Sequence, residues 1–255
     1  MLALAKIGKN VKIAQSAVIG ANVEIGDNTE IREFVVIRDN VKIGSNNIIY
    51  PHVTIGEEPQ DRSFTNEESF VEIGDNNVLR ENVTIHKAVG VGQVTKLGND
   101  NFLMVGVHLA HNAVVGNGNT FANNVALAGY VIVGNYITFG GAAQIHQHCR
   151  IGDYAMVSGL AGINHDVLPY MVYGGIPAHA ITTNRIALKK HGFNQQERSE
   201  VMNVFRVIYD THASTALIIE ELEKQSESKI FTNICEFIKN SKRGIITQKY
   251  SKYND

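Results

Sequence analysis

The sequence predicts a mainly β protein: a parallel β-helix of stacked triangular coils, followed by a small α-helical domain. Three observations predict it. Aliphatic residues recur every six positions over most of the chain, glycine and asparagine crowd the gaps between them, and the sixfold phase stops beyond Pro177, where helical patterns take over.

The phase opens at Ile7 and runs through Ile13, Ile19, Ile25, Ile31, Ile37, Ile43, Ile49 and Ile55 without a slip. It returns at Ile73, Leu79 and Ile85, then continues from Leu97 to Ile163. A second track two residues earlier is small or β-branched, as at Val23, Val35, Val53 and Val125. A period of six is neither the 3.6 of a helix nor the 2 of a strand. It suits one short strand plus one turn, the aliphatic pointing inward and Gly, Asn or Asp taking the turn positions of positive φ. Three such units close one coil of about 18 residues, and coils stack into a prism. About 185 residues wound this way reach roughly 45–50 Å at ~4.8 Å per coil.

Two stretches interrupt the winding. Residues 57–70, "EEPQDRSFTNEESF", put Asp61 and Glu67 at core-phase positions, so this segment must leave the wall. Residues 87–94, "KAVGVGQV", form a second, Gly-rich excursion. Excursions from a rigid solenoid are common carriers of binding groups. Beyond Pro177, Asn194 caps a helix through "QQERSEVMNVFRVIYDTH", with Val201, Phe205, Ile208 and Tyr209 as its apolar stripe. "STALIIEELEK" and "KIFTNICEFIKNSKRG" read as two more helices, and the polar tail "IITQKYSKYND" as frayed. The expected division is a β-helix over residues 1–185 and helices over 186–255.

Composition narrows the function. With 255 residues, 44% hydrophobic, 19% charged and a net charge of −2, the chain suits one large or two small soluble domains and shows no signal for a nucleic-acid partner. No run of 18 apolar residues calls for membrane insertion, and "MLALAKIGKN" turns polar too soon for a signal peptide. Cys149 and Cys235 cannot build a disulfide framework, which points to a reducing cytoplasm; Cys149 reads as a buried, unreactive thiol.

The chemistry concentrates in "GVHLAHNAVV", residues 106–115. Residues 18 apart stack on one face, so His111 lies in a column with Gly129, Gln147 and His165, while His108 stacks on Ala126 and Ala128 on His146. His111 is out of phase with the inward aliphatics and need not be buried. A glycine directly beneath it leaves room for a substrate to reach a backbone N–H. The arrangement predicts a polar patch beside a notch. Zinc is the competing reading, but "HLAH" has no cysteine or carboxylate beside it to complete a ligand set, so no metal is expected. A scaffold with surface histidines is the non-enzymatic alternative.

"TIHK", "HLAHN", "FANNVALAG", "GGAAQIHQHCRIG" and "ALKKHGF" together resemble the UDP-N-acetylglucosamine acyltransferase family of lipid A biosynthesis, over nearly the whole chain. The resemblance implies a left-handed β-helix and a homotrimer with active sites between subunits. It implies transfer of a 3-hydroxyacyl group from the phosphopantetheine thioester of acyl carrier protein to the sugar 3-hydroxyl, with no bound cofactor. His111 falls on the family's general base, work suited to an imidazole. Gly129 falls on its oxyanion-stabilising N–H. Gln60, Asp61, His86, His108, His146 and Gln147 match sugar- and acyl-contacting positions, Gly159 bounds the acyl tail, and Asn184 and Lys190 match the nucleotide end. Arg185, Lys189, Lys190, Lys242 and Arg243 would dock the acidic carrier. Four positions depart from the family: Ser63 replaces a lysine, Asn112 an acid, Tyr130 a histidine and Ile186 a glutamate. These departures leave open a second acceptor chemistry, N-acylation of a dTDP- or UDP-linked amino sugar from acyl-CoA.

Overall fold

The computed structural model describes residues 5–211, 214–224 and 228–250. His212, the first four residues and the last five of the tail lie outside that description. The coil walls are strands of mostly two residues, gathered in three sheets of eight, ten and eight strands. Up to Ile163 each strand pairs in parallel with the third one along the chain: Ile7 with Ile25, Ile13 with Ile31, Ile19 with Ile37. In most of the two-residue strands the first residue faces out and the aliphatic faces in, so Ile31, Ile37, Leu103, Leu109, Phe121 and Phe139 are fully buried. The two phenyl rings stack at 4.6 Å along the axis.

The turns differ from expectation in one respect. Positive φ falls on the third residue after the aliphatic, at Asn28 (57°), Asn46 (58°) and Asn112 (58°), and also at Tyr130 (61°). The glycines directly after the aliphatics have another cause. A Cβ on Gly26 would sit 2.5 Å from the carbonyl carbon of Gly44 in the next coil, so this corner has no room for one. At a second corner a polar ladder runs inside the prism: Asn47, Asn77, Asn101 and Asn119 each accept the backbone N–H of the residue below through Oδ1, at 2.8–2.9 Å. The ladder satisfies turn amides that face the dry interior.

Both interruptions are whole multiples of the repeat. Val41 pairs with Val71, 30 residues on, and Phe70 with Val94, 24 on, where elsewhere the step is 18. The phase therefore survives, but the excursions together use one coil's worth of chain. The prism is accordingly shorter than expected: the ten strands of the second sheet leave nine spacings, about 43 Å at ~4.8 Å each.

At the lower end Met171–Gly174 joins the second sheet and turns back as an antiparallel hairpin with His179–Thr183. Helix α1, Arg185–Lys190, follows at once. Three longer helices, α2 (Gln195–Tyr209), α3 (Thr215–Glu223) and α4 (Lys229–Lys239), pack together. Asn194 and Glu197 form a reciprocal capping box on α2, whose buried stripe is Val201, Val204, Phe205, Ile208 and Tyr209. As far as Tyr250 the tail is not frayed. Ile245 and Ile246 are buried, the Tyr209 hydroxyl donates to the Ile246 carbonyl at 3.0 Å, and Tyr250 N–H donates to Ala180 at 2.8 Å. Two consecutive isoleucines dock this segment against the hairpin and α2 despite its polar composition. No helix among the described residues is long and apolar enough to cross a membrane.

Candidate active site

His111 occupies the turn between the third sheet and the first, two residues after the inward Leu109. Its ring lies outside the hydrophobic interior, yet it is only 8% exposed, less open than its phase implied. The cover comes from two other elements. Tyr130, from the next coil, sets its ring perpendicular to the imidazole at 5.3 Å, and the first excursion brings Asp61 Oδ2 to 3.7 Å from Nε2. Ser63 donates to Asp61 Oδ1 from both its amide and its hydroxyl, each at 2.8 Å. Those two bonds, helped by the nearby His111, hold the Asp61 carboxyl below its usual range.

Gly129 lies beneath His111 as the column required. A Cβ there would stand 2.5 Å from His111 Cε1 and 2.6 Å from Nε2, so only glycine admits the imidazole at this distance. Its N–H has no acceptor among the described residues. The reason lies in the repeat. At the same corner, Ala21 N–H is taken by Asp39 from the coil below, at 2.7 Å; along another corner Asn117 and Asn135 are served in the same way. The residue below Gly129 is Gln147, which forms no such bond. An imidazole nitrogen and an unpaired amide hydrogen thus sit side by side, the pairing an acyl-transfer transition state uses.

His108 pairs with Ala126 on the outer face of the third sheet, with Nδ1 2.7 Å from the Thr84 hydroxyl and its ring edge-on to His86 at 4.9 Å. Burial, reinforced by the two neighbouring imidazoles, pushes its pKa down to about 4, so it is neutral at pH 7. His86 is buried behind it, and burial lowers its pKa as well.

A cavity of about 710 Å³ runs from this cluster down the third sheet. Gln60, His108, His111 and Gly129 line its upper end, His146 and Gln147 its side, and Ile176 and Pro177 its lower end. Ala126, Ala128 and Gly162 on the sheet face keep it open. Of the residues anticipated from sequence, His86 supports the cavity from behind without lining it. Gly159 falls on a different corner, between the second and third sheets. Asn184 is committed to capping α1 and to the Tyr154 carbonyl, at 2.8 Å. Lys190 is exposed at the end of α1. Sequence reasoning missed Thr84, Gln144, Asn164, Ile176 and Pro177. The outward strand position of Gln144 was a usable signal; Ile176 and Pro177 lie where the period has ended and gave none. Cys149 is fully buried and its thiol is pushed up to about 12 by burial, the inert thiol expected. Among the described residues no three His, Cys, Asp or Glu side chains cluster as metal ligands.

Known proteins match this arrangement. Residues 166–246 fit the family model described as UDP N-acetylglucosamine O-acyltransferase, domain 2, and residues 5–39 the bacterial transferase hexapeptide (six repeats) model. The acyl-[acyl-carrier-protein]–UDP-N-acetylglucosamine O-acyltransferase of Gloeothece citriformis is 39% identical over 157 residues, 62% of this chain and 57% of that protein. The matched stretch thus spans less than two thirds of that curated relative. Solved structures match over much more. LpxA, a UDP-N-acetylglucosamine acyltransferase from Bacteroides fragilis, is 39% identical with 96% of both chains covered and a TM-score of 0.93. The UDP-N-acetylglucosamine acyltransferase of Francisella novicida is 34% identical, with 98% of this chain and 94% of that chain covered and a TM-score of 0.88. The coil has the left-handed sense of those structures. The chain belongs to the UDP-N-acetylglucosamine acyltransferase family.

Proposed function

We propose that this protein transfers a 3-hydroxyacyl group from the phosphopantetheine thioester of acyl carrier protein to the 3-hydroxyl of UDP-N-acetylglucosamine, in the cytoplasm, with no bound cofactor. The observation that carries this reading is the His111 imidazole set against the unpaired N–H of Gly129 at the head of an apolar cavity. His111 Nε2 takes the proton of the sugar hydroxyl as its oxygen attacks the thioester carbonyl. The Gly129 N–H donates to the oxyanion that forms. Collapse of the tetrahedral intermediate breaks the C–S bond, and the imidazolium returns its proton to the departing thiolate. Asp61, fixed by Ser63, faces the sugar side, and the small-residue trough below takes the acyl chain.

The working unit is a homotrimer with sites between subunits. Within one chain Gly159, Asn184 and Lys190 stand away from the cavity, so the acyl-end and nucleotide-end roles that the resemblance implies for them need a neighbouring copy's cavity. Exposed Val114 and Ile132 on the first sheet supply apolar surface for such a contact. Arg243, whose Nε donates to the Asn164 carbonyl at 3.0 Å, brings the basic group beside a cavity-lining residue, where it can receive the acidic carrier. The test offers purified protein UDP-N-acetylglucosamine or its 3-amino analogue, with hydroxyacyl carrier protein or acyl-CoA as donor. Turnover with the carrier and the hydroxyl acceptor is expected; activity confined to acyl-CoA and the amine overturns the reading.

A further inference from the structure

We infer that Asn112 is a positioning residue that fixes the tautomer of His111, and that it draws this ability from the backbone of the second excursion. The inference rests on His111 being the base. The Asn112 carboxamide makes three contacts. Oδ1 accepts from Val89 N–H at 2.9 Å, Nδ2 donates to the Val89 carbonyl at 3.1 Å, and Oδ1 stands 3.0 Å from His111 Nδ1.

The two contacts with Val89 are reciprocal, and that decides which end of the amide is oxygen. A flipped carboxamide would set N–H against N–H and oxygen against oxygen. An oxygen facing His111 can only accept, so Nδ1 carries the hydrogen. In the neutral imidazole the remaining nitrogen is then bare. That nitrogen, Nε2, is the one beside Gly129 and Asp61. The base therefore meets its substrate with the lone pair already aimed, without a tautomer exchange.

An aspartate here would hold the same tautomer but not the same attachment. It would keep His111 and the Val89 amide, but would turn a second carboxylate oxygen toward the Val89 carbonyl. Where the family resemblance implies an acid, the asparagine exchanges negative charge for a two-point attachment. The attachment is itself anchored. Asn112 N–H donates to Thr95 Oγ1 at 2.8 Å, and Glu67 of the first excursion accepts Gly90 N–H at 2.8 Å through Oε1. Glu67 Oε2 accepts from the amide and hydroxyl of Thr65, at 2.8 and 2.9 Å. Both excursions thus form one hydrogen-bonded clasp that ends on the imidazole. The titratable groups facing His111 are Asp61 from the first excursion, His108 and His86 from the third sheet, and Tyr130 from the next coil.

The experiment uses the full chain with ¹⁵N-labelled histidine and reads two signals: the ring tautomer of His111 by long-range nitrogen–proton correlation, and the pH profile of kcat and kcat/KM. The wild type should show Nδ1–H. Asn112→Ala should mix the tautomers and lower kcat about tenfold or more, part of the 10²–10⁴ a positioned base contributes, with KM within about twofold. Asn112→Asp should keep Nδ1–H, retain activity and move the acid limb of kcat/KM to higher pH, because a carboxylate favours the imidazolium. A bare Nδ1 in the wild type overturns the inference without any variant, and so does Asn112→Ala with unaltered kcat and tautomer. His111→Ala at the wild-type rate would instead defeat the base assignment, a separate failure.

Discussion

Replacing Gly129 by alanine should lower kcat about a hundredfold and leave the fold intact. The new Cβ would stand 2.5 Å from Cε1 and 2.6 Å from Nε2 of His111, about 1 Å inside ordinary contact. The imidazole cannot swing aside freely, because Asn112 holds Nδ1 and Tyr130 covers the ring. It must retreat by about 1 Å, and a misplacement of that size costs on the order of 10²-fold in rate. That corresponds to about 2.7 kcal/mol of barrier at 1.36 kcal/mol per tenfold. The backbone itself accepts alanine, since φ at this glycine is outside the left-handed region. The control is Gly141→Ala, whose Cβ meets only Asn123 O at an ordinary 3.5 Å. Steady-state acyl transfer and thermal melting should be measured on both. Wild-type kcat in Gly129→Ala would show that imidazole and amide do not work as a pair.

The fold carries further consequences. His108 has its pKa pushed down to about 4 from 6.5, so the unfolded chain takes up its proton first; stability is greatest above pH 6.5 and falls as pH drops toward 4. The loss is ~2 kcal/mol after allowing for partial exposure. His108→Gln should flatten that part of the melting-temperature profile, and an unchanged slope would refute the assignment. Asn77→Ala strips the Asn101 amide of its buried acceptor, for a loss of about 2–4 kcal/mol in denaturant titration. Ile246→Ala should cost ~2 kcal/mol because the tail is docked; truncation after Gly244 with no change in melting temperature would restore the frayed reading.

The prism was legible because its period is long, regular and shared by strand and turn, so a single phase named the inward strand aliphatics from Ile19 to Ile163. The stacking of His111 on Gly129 followed from counting alone. What counting could not show is how a side chain leaves the wall. The burial of His111 depends on Asp61 and Tyr130, one reached through an excursion whose path no period describes. The Asn112–Val89 contact is hidden for the same reason: both residues were visible, but their meeting is set by an irregular loop. The tail misled because composition weighs all its residues equally, whereas two isoleucines and one carbonyl decide its docking.

Beneath Gly129 the candidate site lacks a rung that other turns of the solenoid have. At several turns of this solenoid an amide is closed by an aspartate or asparagine one coil below: Ala21 by Asp39 at the same corner, Asn99 by Asn117 and Asn135 by Asp153 elsewhere. Gln147 occupies that place under Gly129 and is one methylene too long to fold back in the same geometry. Gln147→Asn should therefore add the missing bond. The added bond should stabilise the coil by about 1 kcal/mol. It should also occupy the oxyanion donor, lowering kcat by on the order of 10²–10³-fold. Opposite signs for stability and turnover distinguish this outcome from damage to the fold or loss of a substrate contact, neither of which raises the melting temperature. A variant that is slower but no more stable would mean that the Gly129 amide is not held open for chemistry by the residue beneath it.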